Sequence, residues 1–315
     1  MTLPQGERAD AFCHAHDALA HKPFTIGLRP SDVEDWIEAD DRLEADLALK
    51  DRILAEEGRA AFAALEGSEA AQAEALELLA AHLPRRYPTI YRRAGNSLRV
   101  LPGDRTVELA GEPPLLTASR LVQEDLLLMQ RFNDGWRLVA GSLCFPSSWS
   151  LTEKLGRPME AIHGPVPGFS GPMATRVERI FDHLRVEAPL ERFNLSIYGD
   201  GQLRHGETRE EGKQRFPPGA PILGHAHVRI ERQTLRKLAP SGAILFTVRI
   251  HVDPLAVLDG HMRGPALALG LQQHVEALSL DELAYKGLSG VRDSLIATLK
   301  ALCRCGDSEI ADGPD

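Results

Sequence analysis

Apolar positions along this chain change their period, and the changes mark out a helical beginning, a strand-rich middle and a helical end. Residues 1–22 are polar, carry His14, His16 and His21, and hold no sustained period, which predicts an N-terminal arm. Ser31 followed by Glu34 has capping-box spacing, and Trp36, Leu43, Leu47 and Ile53 recur at helical intervals. Together they predict one long amphipathic helix to about residue 57. An Ala- and Leu-rich stretch over 59–82, closed by Pro84, predicts a second.

From Ser97 to Glu108 the pattern shortens to a hairpin turning at Pro102-Gly103-Asp104. LTASRLVQEDLLLMQRF then reads as a helix with Leu121, Leu127, Leu128 and Met129 on its apolar side. WRLVAGSLCF, RFNLSIYG, HVRIERQ and SGAILFTVRIHV read as strands, the last closed by Pro254. Short helical pieces are predicted at 151–155, at 171–184 and at QTLRKLAP, with two terminal helices over 265–278 and 280–302. Hairpin-like connections outnumber βαβ units. The expected class is α+β, an antiparallel sheet flanked by helices. The expected organisation is an arm (1–22), a single domain (23–302) and a flexible tail (303–315).

Composition narrows the function. The chain has 315 residues, a net charge of −9 and no concentrated basic run, which argues against a nucleic-acid partner. It has no long apolar run and no basic-then-apolar leader, so neither a membrane span nor a secretion signal is expected. Its four cysteines (Cys13, Cys144, Cys303, Cys305) do not form a disulfide framework, and the expected location is cytoplasmic. Cys303 and Cys305 cannot complete a tetrahedral site alone.

Candidate chemistry concentrates in residues 144–168, CFPSSWSLTEKLGRPMEAIHGPVPG. His163 lies there between prolines and glycines that restrict the backbone. Such a loop suits an axial metal ligand, whose orientation and tautomer must be fixed, but equally suits a stiff structural turn. Cys144 follows an apolar strand and reads as a buried thiol.

Three blocks go further: LCFPSSWSLTEKLGRPMEAIHGPVPGF, ERFNLSIYGDG and VRIERQTLRKLAPSGAILFTVRIHVDPL. With GLRPSDVEDWIEADDRLEADLALK and VQEDLLLMQR upstream, they resemble the haem-dependent oxidative N-demethylase family in order, over roughly residues 22–260. The resemblance implies a PAS-like sheet with added helices, b-type haem, and oxidation of a methylated amine by O2 to a demethylated amine and formaldehyde. Electrons would come from NADPH through separate flavin and iron–sulfur partners. The absence of a GxGxxG fingerprint and a four-cysteine cluster agrees with a separate reductase. The sequence departs from the family's pattern in two places: at Leu195, where a tryptophan is associated with the family, and at the pair His225 and His227.

Within that resemblance His163 is the expected haem ligand, and Arg192, Arg229 and Arg232 are the expected propionate partners. Glu231 is expected to offset a methylated ammonium, with Tyr198 as an aromatic wall. In a strand Arg229 and Glu231 share one face and Val228, Ile230 and Arg232 the other, so only part of this set can serve one pocket. Asn194 could bond haem or substrate, and Phe145 and Trp149 are expected to pack. Gln123, Glu124 and Asp125 read as a solvated helix end. Two alternatives remain. One is a cupin-like non-haem metal site through His225, His227 and Glu231, with His251 as a fourth donor. The other is a haem sensor or binding protein without turnover.

Overall fold

The computed structural model describes residues 11–206, 216–217 and 219–304. In chain order the strands are β1 (Arg29–Pro30), β2 (Phe62–Ala64), β3 (Tyr91–Ala94), β4 (Ser97–Val100), β5 (Arg105–Glu108), β6 (Asp125–Phe132), β7 (Gly135–Ser142), β8 (Leu190–Tyr198), β9 (His227–Lys237) and β10 (Ile244–Pro254). The helices are α1 (Ala15–Leu19), α2 (Leu43–Glu57), α3 (Glu69–Arg86), α4 (Pro114–Ser119), α5 (Leu151–Lys154), α6 (Met159–His163), α7 (Pro172–His183), α8 (Ile222–His225), α9 (Gly264–Glu276), α10 (Leu280–Tyr285) and α11 (Arg292–Arg304). A seven-stranded sheet has the order β1-β8-β9-β10-β6-β7-β2, and a three-stranded sheet the order β3-β4-β5. The pairs β1/β8, β10/β6, β6/β7, β7/β2, β3/β4 and β4/β5 are antiparallel. The fold is α+β, as expected.

The chain groups into two compact units. The larger comprises Leu28–Arg192 and Gln233–Arg249. One of its cores joins Trp36, Ile37, Leu43, Leu79, Tyr91, Leu126 and Leu245. Another joins Leu127, Trp136, Leu151, Met159, Phe169, Phe181 and Ile244. The smaller unit comprises Met1–Gly27, Phe193–Arg232 and Ile250–Asp315. Its core joins Phe12, Ala15, Leu195, Ile197, Val228, Leu255, Leu271 and Leu299.

Several elements differ from the sequence reading for identifiable reasons. Residues 11–19 are not an arm: Phe12 and Ala15 are fully buried, and α1 covers 15–19. Residues 1–10 of that expected arm, and Cys305 with the tail beyond it, lie outside the described residues; Cys303 packs at the edge of the core that includes Leu299.

Ser31 does not cap a helix. Asp32 instead accepts the Glu34 amide in a tight turn, and the amides of Glu38 and Asp40 are captured by Glu124 and Gln123. The helix therefore starts at Leu43. Residues 62–64 leave helical geometry to form β2, and α3 runs past Pro84, which sits near the helix end. The apolar run 126–129 lies in a strand buried on both faces, paired with β7 across the Asn133–Asp134 turn. Likewise β9 continues through Lys237 where a helical turn was expected.

Candidate functional site

Segment 144–168 leaves β7 under a strong local restraint. The Asp125 carboxylate accepts the amide of Cys144 at 2.7 Å and that of Phe145 at 2.9 Å. Both residues are buried, as is Asp125. Burial pushes the Cys144 thiol up to about 12, so it is a protonated core group and not a thiolate ligand. Beyond it, α5 and α6 fold the segment onto a core of Leu151, Met159 and Phe169, with Trp149 at its margin under the Lys154 ammonium at 4.5 Å.

His163 is the last residue of α6. Its ring stacks on Phe169, centroids 4.3 Å apart and planes at 19°. Its Nδ1 lies 3.0 Å from the Met159 carbonyl. A carbonyl oxygen only accepts, so Nδ1 carries the proton and Nε2 carries the lone pair. Burial pulls the imidazole down to about 4; the Met159 bond opposes this, and the positive charges of Lys154 and Arg192 add to it. The side chain is a neutral nitrogen donor of fixed tautomer and orientation at neutral pH. That donor chemistry is of the kind that would hold a haem iron.

A second constellation is built within the smaller unit. Asn194 Nδ2 donates to Glu231 Oε2 at 3.3 Å, joining β8 to β9. Arg229, 1% exposed, donates to the carbonyls of Leu203 (3.0 Å) and Gln202 (3.4 Å). Its guanidinium lies 5.5 Å from the Tyr198 ring centroid, and Tyr198 packs against His205 at 4.4 Å. Lys286 donates to the Leu195 carbonyl at 2.6 Å and lies 3.2 Å from the Ser196 hydroxyl. Arg232 is buried in β9 at the end of this unit's share of the strand.

Residues 27–296 match a family model described as haem-dependent oxidative N-demethylase, alpha subunit-like. The chain belongs to that family. Haem dependence and an oxidoreductase role follow at the level of the family. Among the described residues, no helix is long and apolar enough to cross a membrane.

The cupin-like alternative is not met in this family member. His225 ends α8 while His227 begins β9, so the two do not alternate along one strand. His227 Nδ1 bonds the His225 carbonyl at 2.8 Å, a local turn contact. His251 groups instead with Cys13 and His14.

Gln123, Glu124 and Asp125 were misread as a solvated helix end; all three are buried. Gln123 Nε2 donates to Asp40 (2.8 Å) and Asp46 (2.7 Å), and Arg249 pairs with Asp40 (2.6 Å) and Asp46 (3.3 Å). Lys50 donates to the carbonyls of Val122 and Glu124. Burial raises the Glu124 carboxyl, against the opposing pull of Arg249 and the Glu38 amide. A run of polar residues looks solvent-facing when its counter-charges are distant in sequence. The only local clue was the leucine run that directly follows Asp125.

Proposed function

We propose that this chain is a haem-bearing oxidative demethylase for a small methylated amine of dimethylamine type, with His163 as the residue that would hold the haem iron. The observation that carries the reading is the Nδ1 hydrogen bond from His163 to Met159, which leaves Nε2 as the donor. When bound, haem supplies the one-electron and O2 chemistry that side chains lack. Overall, amine, O2, two electrons and two protons give the demethylated amine, formaldehyde and water. The electrons come from a reductase partner carrying flavin and an iron–sulfur centre and fed by NADPH.

This chain's residues bind and orient. His163 presents a preset imidazole. Arg192 is assigned to a haem propionate, where a guanidinium forms paired charge-assisted bonds. Arg232 is a second candidate. Arg229 is a weaker one, because the carbonyls of Gln202 and Leu203 already use its donors. Glu231, held by Asn194, is assigned to the substrate ammonium, and Tyr198 to an aromatic wall beside a cation.

The test is spectroscopic first. Haem-loaded protein should show a Soret band that is lost or shifted in His163→Gly and restored by added imidazole. An identical spectrum in wild type and variant would remove His163 as the ligand. Formaldehyde release from dimethylamine by the reduced, haem-loaded protein under O2 tests turnover. Haem binding with no formaldehyde from any methylated amine would instead favour a sensor. Glu231→Gln should raise KM at least tenfold, about 1.4 kcal/mol, with an unchanged Soret band.

A further inference from the structure

Cys13, His14 and His251 form the one group of three His, Cys, Asp or Glu side chains among the described residues whose donor atoms converge as a metal site requires. All three belong to the smaller unit. Their ligand atoms lie within 4.8 Å of one another, and Cys13 Sγ is 3.7 Å from His251 Nδ1. Donors on a tetrahedral zinc ion, with Zn–S near 2.3 Å and Zn–N near 2.0–2.1 Å, stand about 3.5 Å apart. The observed spacing is therefore within a small side-chain adjustment of ligation.

The surroundings hold the three groups in place. Phe12 has a left-handed backbone, φ 60°, which is rare for an aromatic residue. It is held there by full burial and by donation of its amide to Asp253 at 2.9 Å. That bond ties the residue before Cys13 to β10, the strand that carries His251. The rings of His14 and His251 meet at 5.0 Å, and His14 also packs on Phe193 at 5.0 Å. Asp17 lies 3.9 Å from His14 Nδ1, where a carboxylate can orient a ligating imidazole.

We propose that Cys13, His14 and His251 bind a divalent zinc ion, with a solvent molecule completing the tetrahedron. One thiolate and two imidazoles are a donor set suited to zinc, and Cys13 is exposed, leaving room for the fourth ligand. The ion fastens the segment before α1 to β10. This site is independent of haem and of His163.

The experiment uses the full chain, reduced and stripped with chelator, then titrated with zinc alone. One zinc per chain should bind and raise the Tm. Cys13→Ser and His251→Ala should each weaken zinc binding roughly 100-fold or more, while Cys303→Ser leaves it unchanged. Cobalt in place of zinc should give a thiolate charge-transfer band that Cys13→Ser abolishes. Far-UV circular dichroism and the Soret band of haem-loaded variants should match wild type, which separates loss of this site from loss of fold and from failure of the haem assignment. Absence of stoichiometric zinc binding, or equal affinity in Cys13→Ser and wild type, would overturn the proposal and leave a hydrogen-bonded thiol–imidazole cluster.

Discussion

Asp125 shows how a single carboxylate can set the geometry of a segment it does not belong to. It is fully buried, and its two oxygens accept two consecutive amides at the start of the stretch leading to His163. Each bond to a charged acceptor contributes about 1.5–3 kcal/mol, and its loss strands a buried N–H. Asp125→Ala should therefore destabilise the fold by roughly 3 kcal/mol or more, read as a lower urea midpoint. Asp125→Asn should cost less, because one oxygen still accepts. Arg249 is the matching case for charge: it lies between Asp40 and Asp46. Arg249→Met leaves two carboxylates without it and should cost about 3–5 kcal/mol, checked by the same measurement. His163 stands out in the sequence because prolines and glycines surround it in a long block, and the hydrogen bond that fixes its ring is local, to Met159 four residues earlier. The burial of Gln123 and Glu124 was not legible there, because Asp40 and Asp46, which pair with Gln123, and Glu38 and Lys50, which pair with Glu124, are brought to them only by the tertiary fold.

Among elements, strands with alternating or β-branched patterns were read correctly: β7, β8 and β10 fall where expected. Helices were misread where backbone amides are captured by distant side chains, as in residues 31–42, or where a leucine-rich run is buried on both faces, as in β6. Periodicity alone cannot separate a buried strand from a buried helix. The helix α9 carries a different constraint. A Cβ on Gly264, at its first residue, would stand 2.1 Å from the Leu258 carbonyl oxygen. That neighbour is backbone and cannot swing aside, so Gly264→Ala should lower the Tm clearly, by an overpacking cost of about 1–3 kcal/mol or more. Gly290 has nothing near such an atom, so Gly290→Ala should be nearly silent and serves as the control.

For the whole molecule, acidity is the informative variable. His82 is lowered to about 4 by burial, with Arg236 and Arg85 adding to it, and His274 to about 4 by burial, with Lys286 adding to it. In the unfolded chain both titrate near 6.5. Between about 6.5 and 4 the unfolded chain therefore binds more protons, and stability rises with pH across that window. Urea midpoints should be highest above pH 6.5 and fall steadily on acidification toward 4. His82→Phe should flatten that slope.

The segmental make-up of the two units bears on how the protein is synthesised. Every stretch of the larger unit has been translated once residue 249 is complete, whereas the smaller unit draws on Phe12 near the beginning and on Leu299 near the end. Its first segment must wait on the ribosome, with Phe12 and Ala15 uncovered, until α9 and α11 emerge. Loop closure over such a separation is slow, and apolar surface left open meanwhile invites capture by chaperones or by other nascent chains. Ribosome-bound chains stalled once residue 249 has cleared the exit tunnel, but before α11 has emerged, should accordingly protect the larger unit from protease while residues around Phe12 are still cut.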